Sequence, residues 1–302
     1  MTTSGNNTYG QRIRSLFQNA SSEVAIIAPF IKVDALQSLL TVIPEKIKLY
    51  CVTRWRMKEV AAGVSDPEIL DILEARGNCS LFLVDNLHAK IFLADELCLA
   101  GSANVTLTGL GENEKAENIE ILVTTTTEDP NIIEVLQEIK KQQRPATSHM
   151  LRTIRSLANI YQDDDLASPE IDAIWMPFSK KPESAFGLYR NPPKGFMVTS
   201  DRILIADLIN LNLPLGLDEN EFKFEICTAL SSIPLAEQFL NVSEDILLTR
   251  ADANIQFEGV AKGGFTTNDL WLAFVEWMIY FFPSKVMKQE ITEFALRRAQ
   301  IL

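Results

Sequence analysis

Apolar residues in the first half of the chain fall into short runs that alternate with stretches of helical spacing. Residues 8–20, TYGQRIRSLFQNA, put Ile13, Leu16 and Phe17 on one face and predict a helix. SEVAIIAPFI (22–31) is a short apolar run stopped by Pro29, the pattern of a buried strand. VDALQSLLTVI (33–43) returns to helical spacing, with Asp34 placed as its cap. KIKLYCVTRW (46–55) predicts a second strand. SDPEILDILEARG (65–77) predicts a helix capped by Ser65 or Asp66, with Pro67 in its first turn and Gly77 ending it. CSLFLVDN, AKIFLAD, LCLAGSA and ENIEILVTTT (79–86, 89–95, 97–103, 117–126) read as four more strands. PNIIEVLQEIKKQQR (130–144) reads as a closing helix. The sum is an α/β fold, a mixed β-sheet flanked by helices. Within two of these runs Lys90–Ala94 and Leu97–Ala100 are separated only by Asp95 and Glu96, so they must run antiparallel as a hairpin.

The pattern changes near RPATSHM (144–150). A helix over 150–162 follows, then the acidic stretch DDDLASPE (163–170), which reads as a solvated linker. This gives a catalytic unit over 1–145, a helical and acidic link over 146–170 and a C-terminal α+β domain over 171–302. In that domain GFMVTSD, EFKFEIC and NIQFEGV (195–201, 221–227, 254–260) are candidate strands. Residues 200–212, 234–242, 267–282 and 284–300 are candidate helices. The apolar run Leu270–Phe282 is shorter than the roughly 20 residues a bilayer span needs, and Glu276 interrupts it, so it reads as a buried helix.

Composition narrows the function. The 302 residues carry a formal net charge of -12, which argues against a generic nucleic-acid coat. The acidity is spread evenly: residues 1–145 hold 14 basic and 19 acidic side chains, the rest 14 and 21. Any polyanion site must therefore be a local patch. The polar start MTTSGNNTYGQ lacks the pattern of a secretory leader. The four cysteines, Cys51, Cys79, Cys98 and Cys227, lack CxxC spacing and read as reduced, packed thiols of a cytoplasmic protein. No metal or other cofactor is expected, because no carboxylate or cysteine pair stands near either histidine at ligand spacing.

The chain has two histidines. His149 has no lysine two residues on and reads as a surface residue. His88 opens LHAKIFLADELCLAGSANVTLTG (87–109), where His88, Lys90, Asp95, Gly101, Ser102 and Asn104 lie close together. Residues two apart on a strand share a face, so His88 pairs with Lys90 and Ser102 with Asn104 at the open end of the hairpin. An imidazole is a nucleophile or general acid/base near neutral pH. An ammonium and an amide beside it can hold phosphoryl oxygens.

This order and spacing, His-x-Lys, four residues, Asp, then Gly-Ser-x-Asn, resembles the signature of the phospholipase D superfamily. The resemblance extends over roughly residues 10–145 and takes in Asn118-Ile119-Glu120. It implies that His88 attacks phosphorus and forms a phosphohistidine. It also implies that Lys90, Ser102 and Asn104 hold the phosphate, and that Glu120 accepts from the imidazole and orients it. Asp95 matches the motif aspartate, but its place at the hairpin turn favours a structural role. One motif supplies one histidine, so the resemblance implies a homodimer whose twofold axis brings two His88 side chains together. It further implies a hydrolase, most often a nuclease acting on DNA or RNA, such as those of prokaryotic defence or restriction systems. A lipid phosphodiesterase and a catalytically silent scaffold are the alternatives. Residues Arg54, Trp55, Arg56 and Lys58 read as a substrate-binding patch, basic for phosphate and aromatic for stacking. The C-terminal half is left to recognise substrate, regulate the enzyme or bind a partner protein. No membrane contact is expected.

Overall fold

A computed structural model of the chain describes residues 8–113, 118–163, 175–193, 197–241, 247–258, 264–290 and 294–298. The acidic stretch 164–170 lies outside them. The chain divides into two compact units, Met1–Arg155 and Ser156–Leu302.

In the first unit α1 (Tyr9–Gln18) starts on a capping box. The Thr8 hydroxyl accepts from the Gln11 amide and the Gln11 side chain accepts from the Thr8 amide, at 3.1 and 2.9 Å. Its inner face buries Ile13 and Phe17 completely. There follow β1 (Glu23–Ile27), α2 (Val33–Leu40), β2 (Lys48–Thr53), α3 (Met57–Ala61), α4 (Ile69–Arg76), β3 (Cys79–Leu83), β4 (Lys90–Ala94), β5 (Leu97–Gly101), β6 (Leu122–Thr126), α5 (Pro130–Gln142) and β7 (Arg144–Pro145), and then α6 (Ser148–Asp163), whose residues fall in both units. Two caps differ from expectation. Asp34 does not cap α2; the amide of Val33 donates instead to the carboxylate of Asp66, at 2.9 Å, far along the chain. That leaves α4 to begin at Glu68 without a side-chain cap.

The strands form one seven-stranded mixed sheet in the order β6-β5-β4-β1-β2-β3-β7. β1, β2 and β3 are parallel neighbours, while β4 runs against β1, β5 against β4 and β6 against β5. β7 runs against β3. The carboxyl ends of β1, β2, β3 and β5 therefore share one edge with the starts of β4, β6 and β7. Ligands of open α/β sheets bind at such an edge, where strand order reverses. On one face Ile27, Val52, Ile91 and Cys98 pack against Ile132 and Ile139 of α5. Burial pushes the Cys98 thiol up to about 11 and leaves it an inert packing residue.

The second unit is mainly helical. After Pro182–Ser184 come α7 (Ala185–Arg190), α8 (Thr199–Leu211), α9 (Glu219–Ser231), α10 (Pro234–Asn241), α11 (Arg250–Phe257) and α12 (Thr267–Phe281). A small sheet of β8 (Leu247–Leu248), β10 (Phe294–Arg298) and β9 (Val286–Glu290), in that order, is antiparallel throughout. α12 buries seven residues, among them Trp271, Phe274 and Trp277. Asp207 of α8 is buried and accepts from the amides of Phe178 and Ser179, the latter at 2.8 Å. Among the described residues no helix is long and apolar enough to cross a membrane.

Helix replaces an expected strand wholly in one segment of this unit and over part of two others. EFKFEIC alternates like a strand, yet Asp218 and Glu221 form a capping box and the buried residues Phe222, Ile226 and Leu230 recur every four positions. NIQFEGV falls largely in α11, whose Thr249–Asp252 box likewise commits the segment. In GFMVTSD residues 199–201 open α8, while 195–196 lie outside the described residues. In the opposite direction, the described residues of the helix expected over 284–300 include β9 and β10, which pair antiparallel; 291–293 and 299–300 lie outside the described residues. Short apolar sets fit both periods, and the pairing of the two segments decides.

Candidate active site

The hairpin β4–β5 turns at Asp95-Glu96, with Lys90 opposite Gly101 at its open end. This open end lies on the shared sheet edge. His88 is exposed two residues before β4 begins, and Ser102 and Asn104 lie one and three residues after β5 ends. Beyond the start of β4, the segments leaving β1 and β5 meet each other. The amide of Val105 donates to Phe30 (3.1 Å) and that of Lys32 to Val105 (2.9 Å).

Lys90 is only 8% exposed. Its Nζ donates to the carbonyl of His88 at 2.7 Å, tying the motif lysine to the backbone of the motif histidine. Burial holds its pKa below the usual lysine value; the nearby Arg54 charge adds to this and the Glu120 charge opposes it. An ammonium has three donors, so this one bond leaves capacity for a bound oxyanion.

Glu120 comes to the site from just before β6. Its carboxylate accepts from Ser102 Oγ, in a short contact, and from Asn118 Nδ2 at 3.1 Å. Ser102 Oγ in turn accepts from the amide of Ile121, at 3.0 Å. Among the described residues the Glu120 carboxylate takes no hydrogen bond from the His88 imidazole. Glu120 thus organises Ser102 and places negative charge beside Lys90. Its backbone is fixed by Tyr9 of α1: the Tyr9 hydroxyl donates to the Glu120 carbonyl (2.7 Å) and accepts from its amide (3.2 Å). The sequence offered no sign of Tyr9, because the partners are 111 positions apart.

The side-chain oxygen of Asn104 is buried with no partner among the described residues. A buried acceptor in that state is costly unless a ligand or solvent satisfies it. Two glycines let the backbone close on this region. A Cβ at Gly101 would lie 1.8 Å from the Ile121 carbonyl oxygen, and one at Gly109 would lie 2.5 Å from the Asn104 carbonyl oxygen. The first glycine of Gly-Ser-x-Asn therefore serves the close approach of β5 and β6.

Asp95 stands apart. It sits at the far end of β4, about 17 Å from Lys90 at roughly 3.4 Å per residue. There its carboxylate accepts five hydrogen bonds, from the amides of Ser21, Ser22 and Glu23 and from the hydroxyls of Ser21 and Ser22. These donors hold its pKa far below the usual carboxylate range. Asp95 fixes the start of β1 to the hairpin and does not join the other five motif residues.

The patch expected of Arg54, Trp55, Arg56 and Lys58 is corrected in part. β2 ends at Thr53 and α3 starts at Met57, so Arg54–Arg56 form an extended link. Trp55 is 2% exposed and cannot stack on a base. Arg54 holds the Leu87 carbonyl, at 2.8 Å, and pairs with Glu59. Arg56 donates from Nε and Nη2 to the Asp85 carbonyl. Lys58 alone of the four is exposed. The two arginines brace the turn that leads into His88 rather than facing solvent. His149 is exposed at the start of α6. Among the described residues no three His, Cys, Asp or Glu side chains are grouped to hold a metal ion.

No family model matches the chain, and no curated protein matches it. Solved structures do. NucT from Helicobacter pylori aligns at 16% identity over 44% of this chain and 86% of its own, with a TM-score of 0.35. Nuc from Salmonella typhimurium, a phospholipase D family member, aligns at 16% identity over 48% of this chain and 95% of its own, with a TM-score of 0.36. Phosphatidylserine synthase from Haemophilus influenzae aligns at 18% identity over 52% of this chain and 42% of its own, with a TM-score of 0.39.

Proposed function

We propose that the first unit is a metal-independent phosphodiesterase of the phospholipase D type, and that its substrate is a nucleic acid. The observation that carries this reading is the buried Lys90, bonded to the backbone of exposed His88 at the sheet edge, with the unpartnered Asn104 oxygen close by in sequence order. A neutral imidazole beside a buried ammonium suits attack on a phosphodiester whose developing charge needs a fixed cation.

The reaction has two steps. A nitrogen of His88 bonds to phosphorus as the P–O bond to the leaving group breaks, and the departing oxygen takes a proton from a second imidazole. Water then attacks phosphorus, giving its proton to that second imidazole, and the P–N bond breaks. One chain carries one such motif, so the second imidazole is that of a second copy, and the functional species is a homodimer. Lys90 holds the phosphoryl oxygens through both steps, and Glu120 keeps Ser102 in place. A role in defence against foreign nucleic acid, with the second unit choosing the target or a partner protein, fits this chemistry.

The test is incubation with plasmid DNA, single-stranded DNA and RNA in excess chelator, beside His88→Ala. Cleavage is expected to persist in chelator and to fall about a thousandfold or more in the variant. Cleavage that requires a divalent metal, or that survives His88→Ala, overturns the mechanism. Phospholipid turnover without nucleic-acid cleavage overturns the substrate assignment.

A further inference from the structure

The two arginines beside Trp55 were read as phosphate contacts, and the structure gives Arg54 other work. Its guanidinium lies over the Phe30 ring, with Cζ 5.1 Å from the centroid. Nε and Nη2 meet the two oxygens of Glu59, at 3.0 and 2.5 Å, a forked pair that fixes the plane of the group. Nη1 then donates to the carbonyl of Leu87 at 2.8 Å. Leu87 is buried, and the next residue is His88. The carbonyl after that, of His88 itself, is the one that Lys90 Nζ holds. Two successive carbonyls of the turn are thus held by two cations, one from β2's end and one from β4's start.

We propose that Arg54 is a positioning residue for His88 and Lys90: locked by Glu59 and the Phe30 ring, it holds the Leu87 carbonyl and with it the turn from which both motif side chains project. Arg54 touches no reacting atom in this arrangement. It acts by fixing the backbone that aims the imidazole, and by setting a second positive charge near the ammonium. Among the described residues the charged groups that bear on Lys90 are Arg54, just after β2, and Glu120, just before β6. Glu59 of α3 pairs with Arg54. Of the two, Arg54 works with burial to disfavour the ammonium and Glu120 works against them. Removing the Arg54 charge must therefore raise the pKa of Lys90, and removing the fork alone must not raise it as far.

This inference rests on the phosphodiesterase reading for its kinetic arm only. Arg54→Gln, Arg54→Lys and Glu59→Gln are compared with wild type in the full chain. The Lys90 side chain is titrated by 13Cε-lysine NMR, its signal assigned with Lys90→Arg, and phosphodiester hydrolysis is followed in parallel. In Arg54→Gln the Lys90 titration moves to higher pH, and kcat falls roughly 10- to 100-fold while KM changes less than about threefold. In Arg54→Lys the charge remains, so the Lys90 titration stays near wild type while kcat still falls, because a lysine cannot form the fork. Glu59→Gln keeps the cation but frees it, and lowers kcat in the same direction; it stands in where Arg54→Gln does not fold. Unchanged kcat in all three variants overturns the proposal. So does a lost kcat in Arg54→Gln with an unmoved Lys90 titration, which reduces Arg54 to a folding role. If wild type cleaves no phosphodiester, the functional reading fails, and the NMR titration alone still decides whether Arg54 governs Lys90.

Discussion

At the residue scale, two motif positions have separable duties. Asp95 gathers five donors onto one carboxylate at the end of the sheet remote from His88. Asparagine keeps only one acceptor oxygen, so Asp95→Asn leaves some of those donors unpaired. The variant is expected to melt a few degrees lower and to keep its activity per folded molecule within about twofold, measured by thermal denaturation and initial rates. The contribution of Asp95 is present above the usual carboxylate range and is lost as pH falls below it, because its folded pKa is depressed. Gly101→Ala behaves differently. Its new methyl would collide with the Ile121 carbonyl, which also accepts from the Ser102 amide at 3.0 Å. Both stability and activity should fall, the former by about 1–3 kcal/mol, as calorimetry would register.

At the element scale, the strands of the first unit were legible because their apolar runs are short, are stopped by Pro29, Asn86 and Asp95, and in β3 are preceded by Gly77-Asn78. The hairpin followed from the two-residue gap alone. What the sequence withheld was every partner distant along the chain. Examples are Asp66 capping α2, Tyr9 bracing Glu120, and Arg54 reaching Leu87. The patch of Arg54, Trp55, Arg56 and Lys58 does not form because the strand expected to run to Trp55 ends at Thr53, where the chain leaves the sheet and Trp55 turns inward. In the second unit the capping boxes were in plain view and outweighed alternation that suggested strands. There, α8 also carries a titratable device. Burial pushes the Asp207 carboxyl up to about 8, opposed by the amides of Ser179 and Phe178. Its folded pKa lies above its unfolded value of roughly 3.9, so its contribution is full below that value and is lost as pH rises through about 8. Wild-type protein should therefore melt lower at pH 8.5 than at pH 5.5, and Asp207→Asn should flatten that difference. An equal slope in both proteins would refute the assignment.

For the whole molecule, the single His88 makes stoichiometry measurable. If each site takes one imidazole from each of two copies, wild type and His88→Ala mixed equally and allowed to exchange should retain about a quarter of the activity of the same total wild-type protein, because only wild-type pairs are complete. Retention of half would mean that each chain works alone. The hairpin sets a further condition on any such assembly. Lys90 opens the five-residue strand β4 and Asp95 follows its last residue, so the interval between them is a ruler rather than a spacer. Removing one residue from it, Phe92 for instance, would turn every later side chain to the other face of the sheet. Removing two would restore the faces but draw the anchoring carboxylate about 7 Å short of Ser21 and Ser22. The motif's arithmetic is thus the length of a strand measured between its chemistry and its mooring, and insertions belong in the loops beyond either end.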